Sequence, residues 1–279
     1  MLTGVAMLAF AANSILCRLA LGQELIDAAS FATVRIAAGA MTLAIIAMPG
    51  WRVSGRLRCD WRAVAMLFAY VACFSFAYLS LSAGTGALIL FGAVQLTMFI
   101  VAMRDGERFA PVSWFGLSLA VAGLVWLVSP GVTAPDPFGA ILMSVAGVAW
   151  GGYSLLGRGM TNPLQATAGN FIFCLPLVLV VSLVFLGDYH ATTTGMILAI
   201  VSGSVASGLG YVIWYAALPG LTSARAAAVQ LSVPAIAALG GAVWLSEEIT
   251  LRLLLASAAT LGGVWIVLAQ RSRISAKSA

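Results

Sequence analysis

AVQLTMF at residues 93–99 returns as AVQLSVP at residues 228–234, 135 positions further along the chain. Two other pairs repeat in the same order, with offsets of 140 and 139: FAANSILCR (10–18) with WGGYSLLGR (150–158), and GLVWLV (123–128) with GGVWIV (262–267). No single pair is persuasive alone, but three pairs in register predict that the chain is an internal duplication.

The composition is that of a membrane protein. Of the 279 residues, 62% are hydrophobic and only 8% are charged, and the mean hydropathy is +1.06. Soluble domains carry roughly 25% charged residues, so this chain lacks the charge to cover a water-exposed surface. The net charge of +5 is not gathered into a segment long enough to form a basic patch outside the bilayer. We therefore expect no nucleic-acid partner.

Ten apolar segments are each long enough, at about 20 residues, to cross a bilayer as a helix. They cover residues 2–21, 28–48, 63–82, 84–103, 112–130, 137–157, 164–186, 194–217, 223–246 and 251–270. Their continuous apolar character excludes the alternating pattern of a transmembrane barrel. The predicted fold class is an all-α polytopic membrane protein with ten transmembrane helices.

The duplication divides these helices into two sets of five, over residues 1–130 and 137–270. Because five is odd, the second set must enter the membrane upside-down relative to the first. Inverted repeats of this kind are typical of secondary transporters, whose substrate site lies near the bilayer midplane between the halves. The alternative is an ancient duplication with no surviving functional asymmetry. We favour a transporter built around a central cavity.

Arginine and lysine residues predict the orientation. With the loop 51–62 inside, eleven basic residues lie on that side and two, Arg18 and Arg252, on the other. Both termini, including a basic tail at 271–279, are therefore expected in the cytoplasm.

The two halves differ where the repeated glutamine stretches end. Phe99 stands in the first copy at the position of Pro234 in the second. Proline removes a helical hydrogen bond, so we expect the ninth helix to bend near its centre and the fourth to run straight.

The two five-helix halves, together with PAIAALGGAVWLSEEITLRLLLASAATLGGVWIVL (234–268), resemble the EamA-type branch of the drug/metabolite transporter superfamily. Within that branch the chain looks most similar to the YddG-type exporters of aromatic and other amino acids. The resemblance implies ten helices, a central cavity and export of small organic solutes. It also implies a multi-pass protein of the bacterial inner membrane.

Uncharged polar and aromatic side chains gather at membrane depth. Tyr78 and Ser82 would share one face of the third helix, and Ser207, Tyr211 and Tyr215 one face of the eighth. The candidate substrate-binding residues are Asn13, Tyr78, Gln95, Trp150, Tyr153, Tyr211, Trp214, Tyr215 and Gln230. An aromatic cavity with a few polar groups suits an amino acid with a large apolar side chain. The alternative for each residue is ordinary helix packing.

Gln95 and Gln230 occupy matching positions in the repeated stretches. In an inverted repeat they would approach similar depth from opposite sides, so we expect them to flank the cavity as a pseudo-symmetric pair.

Arg35 is the one charged side chain well inside a predicted span. A charge there is costly unless it is paired or faces water. Two interpretations compete: an ion pair with a loop carboxylate such as Asp27 or Glu24, or contact with the carboxylate of a substrate. The sequence favours the ion pair.

Several functions are disfavoured by what the sequence lacks. It contains no G-x-x-x-x-G-K-[ST] phosphate loop, its nine acidic residues lie in loops or at helix ends, and its one histidine is in a loop. We therefore expect no catalytic site, metal or cofactor, no enzyme activity, and transport by facilitated diffusion or exchange. The expected partners are a small-molecule substrate and membrane lipid, with the protein acting as a monomer. A broad drug or metabolite exporter is the alternative function.

Overall fold

The structure, a computed structural model, describes residues 2–54, 60–107, 109–157, 162–217 and 228–277, with side chains omitted at 49–54 and 270–277. Ten helices follow one another: α1 Leu2–Gly22, α2 Ala28–Ser54, α3 Trp61–Ala77, α4 Ala83–Arg104, α5 Pro111–Val128, α6 Pro137–Gly157, α7 Pro163–Val184, α8 Thr193–Ala217, α9 Ala228–Leu245 and α10 Leu251–Lys277. In the described ranges nine of them are apolar and at least 18 residues long, and α3 has 17. The predicted fold class, an all-helical multi-pass membrane protein, is confirmed.

Short polar and proline signals set where the helices begin. Ser82 caps α4 by accepting a hydrogen bond from the Thr85 N–H, and Thr192 caps α8 in the same way. Proline opens α5, where an amide N–H would have no helical partner. The predicted start of the ninth helix at residue 223 lies outside the described residues, as do residues 55–59 of the Arg-rich loop.

Three predicted helix ends are wrong: α2 continues to Ser54 rather than residue 48, the last helix continues to Lys277 rather than residue 270, and the third helix stops early. The third helix was expected to run to residue 82, but α3 ends at Ala77, and Tyr78 adopts a non-helical backbone conformation. Ser82 belongs to the next element as the cap of α4. Tyr78 and Ser82 therefore do not share a helix face. The reason is local. Ser82 caps α4, and a capping residue has an extended backbone, so α3 has to end before residue 82.

The eighth helix contains a wider π-helical segment at Ser202–Leu209. Gly203 lies in this segment against the backbone carbonyl of Arg35 on α2, so closely that a Cβ atom would overlap it. Gly39, one turn further along α2, faces the Gly203 carbonyl. Two glycines thus allow α8 and α2 to touch backbone to backbone. π-helical geometry is rare, and it is frequently found at functional sites.

Helices from both predicted halves surround the middle of the bundle. α1 packs on α8 and α9, while α6 packs on α3 and α4, and α2 packs on α7. α5 and α10 form a separate pair, in which Gly116 and Gly263 each approach the other's carbonyl oxygen. Each of these contacts has a counterpart when the first five helices are exchanged for the second five. Two related halves would pack in this way, although the division into repeats stays a prediction.

The ninth helix is interrupted close to its proline. Helical hydrogen bonding lapses at Leu231 and resumes at Ser232, and Pro234 stands in the first turn of the resumed helix. Pro234 has no N–H to offer the carbonyl four residues earlier. The interruption therefore falls near the beginning of the described helix rather than at its centre.

Candidate functional site

A small cavity lies where five helices of the bundle meet. Its lining comes from α1, α3, α4, α6 and α8: Phe10, Asn13, Ser14, Tyr70, Phe74, Leu90, Phe91, Trp150, Ala206, Ser207 and Tyr211. The volume is about 20 Å³, which is room for a water molecule. Ligand pockets are usually about 300–1,000 Å³. The described conformation therefore holds the site closed.

Aromatic rings form most of the cavity wall, with Trp150 at their centre. The Trp150 ring stacks on Tyr153 and Tyr211, with ring centroids 5.6 Å and 5.2 Å apart. Its edge meets Phe10 at 6.5 Å, and Tyr70 lies 5.0 Å away in a tilted arrangement. These rings come from α1, α3, α6 and α8, so the wall is a joint product of four helices.

A hydrogen-bonded chain of neutral groups joins three of the same helices. The Ser202 hydroxyl donates to Asn13 Oδ1 at 2.7 Å, and Asn13 Nδ2 donates to the Tyr70 hydroxyl at 3.4 Å. Asn13 is 5% exposed, so both ends of its amide are buried and satisfied. Ser202 is the first residue of the π segment, which places its hydroxyl over α1.

Arg35 extends this chain with a buried positive charge. Its Nη2 donates to the Tyr70 hydroxyl at 3.1 Å and its Nε to the Ser207 hydroxyl at 3.3 Å. Its guanidinium carbon lies 4.8 Å from the centre of the Phe74 ring. Arg35 is only 1% exposed, and its Nη1 has no hydrogen-bond partner among the described residues.

The expected ion pair of Arg35 with Asp27 or Glu24 is wrong. The Asp27 carboxylate instead accepts hydrogen bonds from the Ser30 and His190 backbone N–H groups, at 2.8 Å and 3.3 Å. Glu24 is exposed at the turn after α1. Because Arg35 is two turns inside α2, its side chain reaches the bundle centre rather than the loop.

The predicted site residues separate into three groups. Asn13, Trp150 and Tyr211 line the cavity. Tyr153 and Trp214 stand directly behind it, against Trp150 and Phe10 respectively. The other four are not among the lining residues: Tyr78, Gln95, Tyr215 and Gln230.

These four residues have different surroundings. Tyr78 is fully buried between α3 and α4, with its hydroxyl donating to the Ala83 carbonyl at 3.4 Å. Tyr215 lies near Gly157 of α6. Gln230 is half-buried at the beginning of α9. Gln95 is 7% exposed, and its Nε2 has no hydrogen-bond partner among the described residues.

Gln95 lies one helical turn beyond Phe91, which lines the cavity. Residues four apart share a helix face, so Gln95 continues the lined face of α4. The symmetric placement of Gln95 and Gln230 stays a prediction.

The candidate list from the sequence missed eight of the eleven lining residues, among them Phe10, Tyr70 and Phe74. A signal for Tyr70 and Phe74 was present, because they lie four residues apart and therefore share a helical face. Phe10 lies three and four residues before Asn13 and Ser14, on the same helical face, and its ring contacts Tyr211 and Trp214 of another helix.

An ion pair closes the bundle at the end where α1 finishes. Arg18 Nε lies 3.0 Å from Glu247 Oε1, and Arg18 Nη1 donates to the carbonyls of Tyr78 and Leu79. Glu247 Oε2 accepts from the Ala83 N–H at 2.8 Å. These contacts join α1, the α3–α4 turn and the end of α9. No cluster of three or more metal-ligating side chains occurs in the described ranges.

Comparisons with known proteins agree with this architecture. The sequence profile of the EamA-like transporter family matches residues 137–269. An uncharacterized protein of Pseudomonas aeruginosa is 48% identical over 97% of this chain and 94% of its own length. An uncharacterized transporter of Archaeoglobus fulgidus is 24% identical over 87% of this chain and 89% of its own.

Two further similarities are limited in different ways, one in the share of the chain that it covers and the other in sequence identity. The uncharacterized inner membrane transporter YedA of Escherichia coli K12 is 28% identical over 83 residues, which are 30% of this chain and 27% of that protein. A solved crystal structure, 18% identical, superposes with a TM-score of 0.65 over 96% of this chain and 99% of its own, which shows a shared fold. The second half of the chain, residues 137–269, therefore matches the EamA-like transporter family, and the chain as a whole is similar to the Pseudomonas aeruginosa protein.

Proposed function

We propose that this transporter exports amino acids, chiefly aromatic and other apolar ones, across the bacterial inner membrane, as the YddG-type exporters do. The observation that carries the proposal is the wall of stacked rings around Trp150, crossed by the polar chain from Ser202 through Asn13 to Tyr70. Rings provide a surface for an apolar side chain, and the amide and hydroxyl groups provide hydrogen bonds for its polar end.

Alternating access fits the closed cavity. A space of about 20 Å³ does not hold an amino acid, so the lining helices have to separate for substrate to enter. The contacts between Arg18 and Glu247 would have to break for the bundle to open at that end. With both termini in the cytoplasm, that side faces the periplasm, where an exporter releases its substrate.

The proposed energy source is the substrate gradient itself. None of the acidic side chains lines the cavity, although all nine lie within the described ranges. Proton-coupled carriers commonly keep a carboxylate in the transport path. We therefore propose facilitated export or exchange, with the small-molecule substrate and surrounding lipid as the partners of a monomer. Broad export of cationic drugs is disfavoured, because Arg35 places a positive charge behind the cavity wall.

Counterflow in proteoliposomes tests the proposal. Vesicles loaded with unlabelled phenylalanine should accumulate labelled phenylalanine transiently, and protein-free vesicles should not. Imposing or collapsing a pH gradient should leave the initial rate within about twofold. Absence of counterflow for every apolar amino acid would contradict amino-acid export. Strict dependence on the pH gradient would contradict only the proposed energy source.

A further inference from the structure

Arg35 is a buried cation without an anion. All nine acidic side chains of the chain lie in the described ranges, and none forms an ion pair with it. The ion pair found in the described ranges joins Arg18 to Glu247, at the end of the bundle. An ionised side chain inside a membrane protein is costly unless it is paired or serves a water-filled path.

The neutral groups around Arg35 satisfy only part of its guanidinium. A guanidinium carries five N–H donors in a planar fork. The Tyr70 and Ser207 hydroxyls each accept one hydrogen bond, and the rings of Tyr70 and Phe74 lie within 5.3 Å of the guanidinium carbon. Nη1, with its two donors, has no partner among the described residues. Nη1 is buried, and these two donors are suited to a carboxylate.

Arg35 also touches the cavity through its partners. Tyr70, Phe74 and Ser207 all line the cavity, and all three contact the guanidinium. A rotation of the Tyr70 or Phe74 ring would expose Arg35 to the space that opens when the helices separate. The π segment of α8 supports this arrangement, because Gly203 brings the Ser207 turn close to the backbone of Arg35.

We infer that Arg35 is the binding residue for a carboxylate on the transported solute. The inference rests on the proposed function, and it narrows the substrate class to carboxylates with an apolar or aromatic body. The cavity lining contains no acidic side chain to pair with an ammonium group. The carboxylate is therefore the required group, and the ammonium is dispensable.

Three ligands of similar size test which charge is recognised: phenylalanine, 3-phenylpropionate and phenethylamine. The first carries both charged groups, the second only the carboxylate and the third only the ammonium. Binding to the purified protein, read as quenching of tryptophan fluorescence, needs no transport. We expect phenylalanine and 3-phenylpropionate to bind with affinities within about threefold of each other, and phenethylamine to bind at least tenfold more weakly.

Substitutions of Arg35 test whether this side chain causes the preference for carboxylate ligands. Arg35→Gln should weaken binding of both carboxylates at least tenfold and leave phenethylamine unchanged, while Arg35→Lys should retain part of the affinity. Arg252→Gln is the matched control, because Arg252 binds the carbonyls of Leu127 and Ser129 away from the cavity. If Arg35→Gln does not fold, Ser207→Ala removes one hydrogen bond to Arg35 and keeps its charge. That variant should weaken carboxylate binding several-fold.

The outcomes separate this inference from the proposed function. Equal binding of phenylalanine and phenethylamine, or carboxylate binding that survives Arg35→Gln unchanged, would overturn the role of Arg35 and leave transport intact. Arg35-dependent binding of 3-phenylpropionate without amino-acid counterflow would support Arg35 and contradict amino-acid export.

Discussion

Arg18 and Glu247 are 229 positions apart in the chain, yet their side chains meet at 3.0 Å. Their side chains are 24% and 15% exposed, so the pair is only partly shielded from solvent. Each residue also serves the α3–α4 turn, Arg18 through the carbonyls of Tyr78 and Leu79, and Glu247 through the Ala83 N–H. One ion pair thereby holds three segments together.

Arg18→Gln or Glu247→Gln should loosen this end of the bundle. Hydrogen bonds to charged groups contribute about 1.5–3 kcal/mol, so each variant should lower thermal stability in detergent by a few degrees. A cysteine introduced at Ala83 should also become more reactive towards maleimide. Glu248→Gln is the control, because Glu248 is exposed. Equal effects of Glu247→Gln and Glu248→Gln would show that the contacts of Glu247 do not matter.

Gly203→Ala should separate α8 from α2. The added methyl group would overlap the Arg35 carbonyl, and this contact is backbone, which yields less than a flexible side chain. Overpacking of this kind costs about 1–3 kcal/mol, visible in thermal unfolding and in weaker carboxylate binding. Gly262→Ala is the matched control, because no atom lies within 4 Å of the added position. It should be neutral or slightly stabilising, since alanine favours a helix over glycine.

Trp150→Ala should impair substrate binding. Trp150 makes ring contacts with Phe10, Tyr70, Tyr153 and Tyr211 around the cavity. Loss of the central ring removes the surface that we propose contacts the substrate, so the KM of counterflow should rise at least tenfold. Trp265→Ala, which removes a ring that is 58% exposed on α10, should leave KM unchanged. A similar rise in both variants would contradict the assigned site.

Cysteine labelling in intact cells checks the predicted orientation. Cys59 belongs to the Arg-rich segment expected in the cytoplasm, so a membrane-impermeant maleimide should label it only after permeabilisation. Cys17 and Cys174 are buried and should contribute little. A cysteine at Gly187, which has open space around it in the α7–α8 connection, should be labelled without permeabilisation in a Cys59→Ser background. The opposite pattern would reverse the orientation.

Much of the architecture was predictable because the bilayer imposes it. Backbone groups in lipid have to be hydrogen-bonded within a helix, so the ten apolar segments alone indicated ten helices. Of the polar and aromatic candidates at membrane depth, Asn13, Trp150 and Tyr211 line the cavity, and their role in binding stays a prediction. The ends of the helices were harder to predict than their number. α3 ends at Ala77 rather than at residue 82, because Ser82 caps α4 and this cap depends on the backbone geometry.

The sequence by itself determined the membrane class, the number of helices and the presence of a buried charge at Arg35. Only the tertiary structure decided what surrounds that charge. Arg35 meets Tyr70 and Ser207 instead of Asp27, because the π segment of α8 and the close contact at Gly203 bring α8 against α2. Hydropathy depends on single residues, whereas this arrangement depends on contacts between residues up to 172 positions apart.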